Sequence, residues 1–239
     1  MANLTRLGLI ESLAGAIVVD KPAGIAFASV VKAARRKFNL AKLGHGGALD
    51  PWASGVFVLL LGDANKLAGN LMGADRCYEG TMRLGLKTNT GDIHGEPAAR
   101  REVPADAGAL AAKIAPEFKG DVFQTENRWC SVRREGSAGY ETADTGGHKP
   151  FLAHVYRFDF DEPADGIMKF SLRASKGLIV RTFADDFGDA LGCGACVETL
   201  RRVKLGKIGV EEAVPFDKLL EMEQADLPRL VLPVSRLIA

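Results

Sequence analysis

A run of six consecutive apolar residues, 56–61 in "GVFVLLLGDA", constrains the fold of this chain more than any other feature of the sequence. It is rich in residues that favour β-strands, and glycines stand on both sides of it. Continuous apolar runs of this length are typical of buried strands, so the segment predicts a central strand in a sheet. It is also far too short to cross a bilayer, which takes about 20 apolar residues.

The composition fits a globular protein with a sizeable core. The chain has 239 residues, of which 47% are hydrophobic and 26% are charged, so we expect one large domain or a domain with an appendage. The formal net charge is only +1, so contacts with nucleic acid would have to come from local clusters of charge. The first residues show no secretory signal, and the sequence predicts a cytoplasmic location without a membrane.

The remaining segments predict a mixed α+β domain around a largely antiparallel sheet. The predicted strands, beyond the central one, lie in "GAIVVDKPAG", "YEGTMRLGL", "HVYRFDFDEP", "IMKFSLRAS" and "ETLRRVKLGKIGV". The predicted helices lie in "FASVVKAARRKFNL", "ANKLAGNLMGADRCY" and "DAGALAAKIAPEFKG", and "LIVRTFADDFGDALG" begins as a strand and turns into a helix. Residues 124–150 are polar and without periodicity, which is typical of a functional or mobile segment. The last residues predict one short helix and an extended end.

Two motifs could carry chemistry, and each has an ordinary structural interpretation. Asp50, in "LGHGGALDPWASG", is followed by Pro51, a pair that is common in turns, although the glycines before it would also let a ligand approach the backbone. Cys193 and Cys196 form a C-G-A-C pair. A zinc site would need a second pair of ligands besides these cysteines, and a redox motif would need to lie at the start of a helix that follows a strand. Neither a second ligand pair nor the expected strand–helix context accompanies it, so we expect ordinary thiols and no metal.

Four separated motifs together resemble the TruB-type pseudouridine synthases, which isomerise the T-loop uridine of transfer RNA. In chain order they are "VVDKPAG", "LGHGGALDPWASGV", "DRCYEGTMRLGLKTNTGDIHGE" and "ASKGLIVRTFADDFGDALGCGACVETLRR". The resemblance runs from about residue 15 to residue 214, most of the chain. It implies the pseudouridine-synthase fold, in which helices flank a mixed, largely antiparallel sheet and an RNA-binding cleft crosses one face. It also implies a reaction without a cofactor, on a uridine flipped out of its stack.

The resemblance assigns roles to residues of this chain. Asp50 matches the nucleophile, and Arg181 matches its cationic partner, although a lone arginine on a strand is otherwise typical of a surface charge. Tyr78 matches the tyrosine that stacks on the flipped base. The expected substrate contacts are His45, Lys21 of the K-P motif, Ile179, Leu200, and Arg35 and Arg36 of the basic helix face as phosphate contacts.

The resemblance also predicts the domain organisation. Residues 1–214 would form the catalytic domain, with a thumb-like insertion at about 124–150 that grips the T-arm, and residues 215–239 would form a short tail. Little room then remains for the C-terminal RNA-binding PUA domain that many members carry. We expect transfer RNA as the partner, no small-molecule cofactor, and a monomer.

The chain departs from the family pattern near the expected site. Gly46 stands where the family has a threonine, and Leu178 and Ile179 stand where it has threonine and tyrosine. In the thumb segment, Glu126 replaces a proline and Asp144 an arginine. A lost hydrogen-bonding or stacking partner costs about 1–3 kcal/mol. The alternative hypothesis is therefore a tRNA-binding protein or tRNA-folding chaperone that has lost most of its catalysis.

Overall fold

The structure is a computed structural model that describes residues 13–125, 129–131, 140–142 and 150–237, the two short segments as backbone only. The strands are β1 (Gly15–Lys21), β2 (Leu43–His45), β3 (Ser54–Leu61), β4 (Arg76–Leu84), β5 (Leu86–Thr88), β6 (Pro97–Arg100), β7 (Gly120–Gln124), β8 (Trp129–Ser131), β9 (Tyr140–Thr142), β10 (Phe151–Phe160), β11 (Ile167–Ala174), β12 (Ala195–Leu205), β13 (Ile208–Gly209), β14 (Val214–Pro215) and β15 (Leu232–Pro233). The α-helices are α1 (Phe27–Lys37), α2 (Ala68–Gly73), α3 (Ala107–Ile114), α4 (Val180–Ala190), α5 (Phe216–Glu221) and α6 (Leu227–Leu230). Short 3-10 helices lie at Gly62–Leu67, Ala115–Phe118, Val210–Glu212, Gln224–Asp226 and Val234–Arg236.

The chain forms two compact units. The first comprises Met1–Arg76 and Arg201–Ala239, and the second comprises Cys77–Leu200. The strand β12 therefore contributes its first residues to the second unit and its last residues to the first.

The first unit is built on the pair of β1 and β3, which run antiparallel. Parallel partners lie on each side of this pair, since β14 pairs with β1 and the last residues of β12 pair with β3. The antiparallel strands β2 and β15 add to β3 and β1 respectively. Both β1 and β3 thus have neighbours along most of their length, which is why their sequences are nearly all apolar.

Apolar residues cover both faces of the β1–β3 pair. On one face, Ile17, Phe57 and Leu59 pack against α1 and α5, through buried residues such as Ala34 and Leu219. On the other face lies a second cluster: Ala16, Val18, Val56, Val58, Leu60, Ala64, Leu71, Leu205, Ile208 and Leu237. The prediction that residues 56–61 form a central, buried strand is confirmed.

The second unit packs α4 against an antiparallel sheet. Strand β10 pairs with β11 on one side and with β7 on the other, and all of this pairing is antiparallel. Phe158 of β10 meets Phe183 and Phe187 of α4 edge to face, at 4.9 and 5.1 Å between ring centres, and Phe118 closes the group. Such edge-to-face geometry is favourable for aromatic rings and fixes the helix on the sheet.

The α+β class and the mixed, largely antiparallel sheet flanked by helices are confirmed. Two details differ from the sequence prediction. The segment predicted as one helix in "ANKLAGNLMGADRCY" divides into a 3-10 helix, the short α2 and the start of β4, because the Asn65 side chain donates to the Gly62 carbonyl and stabilises the tighter turn. The tail holds two short helices, and its extended residues pair with β1.

The predicted thumb insertion lies mostly outside the described residues. Within 124–150 the structure describes Gln124 and Thr125, the backbone of β8 and β9, which pair antiparallel, and Pro150. Glu126 and Asp144 lie outside the described residues. Among the helices that are described, none has the length and apolar character needed to cross a lipid bilayer.

Candidate active site

Asp50 lies half-buried in the loop between β2 and β3. The Ala53 N–H donates to the Asp50 carbonyl at 3.1 Å, so the chain turns tightly at this point. Asp50 could be read from the sequence as a turn residue or as a reactive carboxylate. The two interpretations are compatible, because a tight turn can also present the carboxylate. Pro51 restricts the backbone of Asp50 and favours one conformation for the loop.

Lys21, at the end of β1, is a buried cation beside this loop. Its side chain is fully buried, and its Nζ donates to the carbonyls of Pro22 at 2.8 Å, Ile25 at 2.7 Å and Pro51 at 3.0 Å. Burial lowers the pKa of Lys21 from 10.5 to about 8, although nearby Asp50 favours the charged form. The lysine thus joins the Pro-Gly turn after β1 to the residue that follows Asp50.

Arg202 is a second buried cation that sequence analysis did not single out. It is 1% exposed, its Nε donates to the Val56 carbonyl at 2.9 Å, and its Nη1 donates to the Ala48 carbonyl at 3.0 Å. Its neighbour Arg201 is half-exposed and pairs with Asp20 on β1. Strand alternation could have revealed it, because Arg202 lies two residues after Leu200, which was already predicted to point into a pocket.

His45 packs in an aromatic environment at the end of β2. Its ring centre lies 5.1 Å from that of Phe27 and 5.8 Å from that of Phe57. The Gly47 N–H donates to His45 Nδ1 at 3.2 Å, so the neutral ring carries its proton on Nε2. The side chain is therefore held in a fixed orientation five residues before Asp50.

Gly46 is buried against Leu71 of α2. A Cβ atom at position 46 would lie 2.7 Å from Leu71 Cδ1 and 3.1 Å from Leu71 Cβ. The second distance cannot be relieved by rotating the leucine side chain. The family has a threonine at this position. In this chain the position is a glycine, and Leu71 fills the space that a side chain at position 46 would occupy.

We expect Gly46→Thr to lower the free energy of unfolding by about 1–3 kcal/mol, because the new atoms overlap with Leu71. Combining it with Leu71→Ala should cost at least about 1 kcal/mol less than the sum of the two single changes, since the alanine makes room. Urea denaturation measures all three variants. Gly69→Thr, at a glycine whose added Cβ meets nothing within 4 Å, is the matched control. Equal stability of the Gly46 and Gly69 variants would contradict the overlap.

In the second unit, Arg181 lies in the first turn of α4 and is only 6% exposed, so it is neither a strand residue nor a surface charge. Its Nη1 donates to the Thr90 carbonyl at 2.7 Å, and its Nε lies 3.9 Å from Asp92 Oδ2. Asp92 is fully buried, and its Oδ1 accepts the His94 N–H at 3.0 Å. Since a cation in the first turn opposes the helix dipole, the Thr90 carbonyl and the Asp92 carboxylate offset an unfavourable position.

Ile179 occupies the N-cap position of α4 and is clamped through its backbone. Its N–H donates to Gln124 Oε1 at 2.9 Å, and its carbonyl accepts from Gln124 Nε2 at 3.2 Å. The side chain of Gln124, a residue that is 3% exposed, therefore holds both backbone polar groups of Ile179, the residue directly before the first turn of α4. Leu178, the other departure from the family pattern here, is buried.

Tyr78 of β4 and Leu200 of β12 are each 7% exposed. In the first unit, Lys21 donates to the carbonyl of Pro51, the residue after Asp50, and the nearby Asp50 carboxylate favours the charged form of Lys21. His45 lies five residues before Asp50 in the chain. In the second unit, Ile179 and Arg181 share the start of α4. The pairing of Asp50 with Arg181 stays a prediction.

The two arginines of the basic helix α1 have different surroundings. Arg35 donates from Nε to the Leu40 carbonyl at 3.2 Å and from Nη2 to the Ala41 carbonyl at 2.9 Å, so it holds the chain after the helix. Arg36 instead lines a shallow depression of about 340 Å³. The other residues of that depression are Ser29, Lys32, Ala33 and Lys37.

The two cysteines of the C-G-A-C pair are buried, at 1% and 0% exposure. Burial, with the carboxylate of Asp92 nearby, raises the pKa of Cys196 to about 11. A thiol held protonated is a poor nucleophile and a poor metal ligand, which favours the interpretation of Cys193 and Cys196 as ordinary core residues.

Two family models match the chain. The one described as "TruB family pseudouridylate synthase (N terminal domain)" matches residues 35–180, and the one described as "tRNA pseudouridylate synthase B C-terminal domain" matches residues 181–239. The domain boundary predicted at residue 214 stays a prediction.

Curated proteins resemble the chain over nearly its whole length. It is 36% identical over 232 residues to a tRNA pseudouridine synthase B of Burkholderia pseudomallei (strain 668), covering 96% of this chain and 76% of the relative. It is 34% identical over 227 residues to the protein of the same name from Opitutus terrae, covering 94% of each chain.

A solved structure shows the same fold. In a crystal structure of a Cbf5-Nop10-Gar1 complex, one chain superimposes with a TM-score of 0.73 at 24% sequence identity. The match covers 97% of this chain and 63% of that chain, so this chain spans less than two thirds of that neighbour's length.

Proposed function

The chain belongs to the TruB family of tRNA pseudouridine synthases, and from this premise we propose that it isomerises a T-loop uridine of transfer RNA with Asp50 as the nucleophile. The observation that carries the proposal is the setting of Asp50. A half-buried carboxylate lies on a tight turn, and buried cations donate to the carbonyl two residues before it and to the carbonyl directly after it. A structural aspartate in a turn has no need of such support.

The proposed reaction moves the uracil from nitrogen to carbon attachment. The target nucleotide leaves its stack and enters the pocket. Asp50 forms a covalent bond to the nucleotide, and the N1–C1′ bond breaks. The uracil turns, C5 bonds to C1′, and the bond to Asp50 breaks. C5 loses its hydrogen as a proton and N1 takes up a proton. Substrate and product have the same composition, so the reaction consumes no oxidant, reductant or second substrate.

The other proposed roles follow from charge and shape. Arg181 would pair with the Asp50 carboxylate, keep it ionised and orient its oxygens. The guanidinium is held by Thr90 and Asp92, which supports a fixed direction for it. Tyr78 would stack on the flipped base, an interaction worth about 1–3 kcal/mol. His45 and Leu200 would contact the same nucleotide.

Of the two arginines of α1, we propose Arg36 rather than Arg35 as the main phosphate contact. The guanidinium of Arg35 is engaged by two backbone carbonyls, whereas Arg36 lines a depression together with Lys32 and Lys37. Such contacts position an RNA without reading its sequence. The T-arm as the bound element, a monomeric state and a cytoplasmic location stay predictions.

Release of tritium from tRNA that carries 5-tritiated uridine tests the proposal. Isomerisation replaces the C5 hydrogen, so each turnover releases one label to water. The alternative, a tRNA-binding protein or chaperone, binds the same tRNA without release. With enzyme in excess over tRNA, release of about one label per target uridine supports the synthase. Binding without release would establish the alternative in its place.

We expect the rate of isomerisation to fall as the pH rises through about 8, because Lys21 then loses its proton. The neutral amine has only two N–H donors for its three carbonyls, so the loop at Pro51 is held less firmly. The check is the single-turnover rate between pH 6.5 and 9.5, beside tRNA affinity at each pH. Lys21→Arg, whose guanidinium stays charged, should lack this decline. The same decline in both proteins would exclude Lys21 as its source.

A further inference from the structure

Among the residues that the structure describes, Arg202 has the largest fully buried side chain, and none of the family motif assignments uses it. It lies on β12, directly opposite Gly55 of β3 in a parallel pairing. Gly55 has a φ of +104°, and any side chain there would collide with the backbone of Arg202. The two strands therefore approach closely at this point, and the position of the arginine is fixed by the sheet itself.

The guanidinium reaches from this strand to the Asp50 loop. Nε donates to the Val56 carbonyl at 2.9 Å, within β3, and Nη1 donates to the Ala48 carbonyl at 3.0 Å, two residues before Asp50. A planar group that makes both bonds at once has one orientation. The Arg202 guanidinium thus fixes the loop at Ala48 relative to the strand β3.

Lys21 makes the matching contact on the other side of Asp50. Its Nζ donates at 3.0 Å to the carbonyl of Pro51, the residue directly after Asp50. Carbonyls on both sides of the carboxylate are thus held by buried cations that belong to different strands, β1 and β12. Charged donors of this kind form hydrogen bonds roughly twice as strong as neutral ones.

We propose that Arg202 is a positioning residue for the reaction, which fixes Asp50 through the Ala48 carbonyl while Lys21 fixes it through the Pro51 carbonyl. This inference rests on the proposed function, in which Asp50 is the nucleophile. Arg202 acts through the backbone of the loop and not on the nucleotide. A displacement of about 1 Å at a reacting group can cost about a hundredfold in rate, so the loss of the clamp reduces the chemical step rather than binding.

Single-turnover isomerisation by Arg202→Lys tests the proposal. Lysine keeps the charge but loses the planar fork, in which Nε and Nη1 hold the Val56 and Ala48 carbonyls in one fixed orientation. We expect the rate constant to fall about 30- to 100-fold, with the full amplitude of product and with tRNA affinity within threefold of the unchanged protein. A residue that only stabilised the fold would lower the amplitude, since fewer molecules would be active, and would leave the rate constant of the rest unchanged.

Arg201→Lys is the matched control, because the neighbouring arginine bonds Asp20 and, at 3.4 Å, the hydroxyl of Ser54 in β3, and not the Ala48 or Pro51 carbonyl that flanks Asp50. It should change the rate constant less than twofold. A normal rate constant for Arg202→Lys, or a loss confined to amplitude, overturns the positioning role. If the unchanged protein itself makes no pseudouridine, the proposed function fails instead, so the two failures are distinct.

Amide hydrogen exchange keeps the proposal testable where a variant folds poorly. In the unchanged protein, the amides of residues 48–50, 52 and 53 should exchange slowly, as a clamped loop requires (Pro51 has no amide hydrogen), and Arg202→Gln or Arg202→Lys should speed their exchange while β1 and β3 stay protected. Arg201→Lys should leave the loop protected. Rapid exchange of residues 48–53 in the unchanged protein would refute the clamp without any variant.

Discussion

Asp50→Asn is expected to abolish isomerisation while the fold and the affinity for tRNA stay unchanged. Asparagine has the size of aspartate, so the turn closed by Ala53 and the carbonyls held by Lys21 and Arg202 are retained. The amide is not a nucleophile, and removal of a nucleophile costs many orders of magnitude where it forms the covalent intermediate. We expect a loss of at least about a thousandfold in the single-turnover rate.

Asp63→Asn is the matched control for this change. Asp63 belongs to the same unit, carries the same carboxylate, and is exposed beside Lys66. It should keep the full rate. An Asp50→Asn protein that retained more than a tenth of the rate would show that Asp50 is a turn residue and that the nucleophile lies elsewhere.

Arg181→Lys is expected to lower the single-turnover rate about a hundredfold with a much smaller effect on tRNA affinity. Lysine keeps the positive charge but loses the planar fork that bonds the Thr90 carbonyl and lies beside Asp92. The cation would then no longer point in one direction, and the Asp50 carboxylate would lose a fixed partner. The measurements are the rate, the affinity, and the thermal midpoint of each protein.

The stability of the Arg181→Lys protein should fall by only about 1–2 kcal/mol, since the buried charge near Asp92 is kept. Arg173→Lys, at an exposed arginine over the ring of Tyr156 in the same unit, is its control and should be as active as the unchanged protein. If Arg181→Lys kept its rate within threefold, Arg181 would be a structural residue of the second unit only.

The strands and helices that were predicted well are those whose type follows from the pattern of apolar residues within the segment itself. The apolar run at 56–61 and the segment at 15–21 became β3 and β1, and the helical spacing of Val30 and Ala34 became the buried face of α1. Each pattern reflects burial on a regular element, which periodicity reports directly. The fold then followed from the order of several motifs together, not from any one of them.

The features that were missed depend on contacts between distant parts of the chain. Nothing near Gly46 in the sequence indicates that Leu71 fills the space beside it. Arg181 was taken as a strand residue, yet it lies in the first turn of α4, and the Gln124 side chain that holds the Ile179 backbone before this helix is more than 50 residues away in sequence. Of the two adjacent arginines in "TLRR", alternation along β12 indicates that Arg202 shares a face with Leu200, but its bonds to the Val56 and Ala48 carbonyls depend on the pairing of β12 with β3.

Mapping of the product tests whether this protein makes pseudouridine in the T-loop. Unmodified tRNA would be treated with the protein or with Asp50→Asn, and the position of pseudouridine would be read by mass spectrometry of nuclease fragments. We expect pseudouridine at one T-loop uridine with the unchanged protein and none with the variant. Tight binding of the tRNA without pseudouridine, or pseudouridine only outside the T-loop, would contradict it.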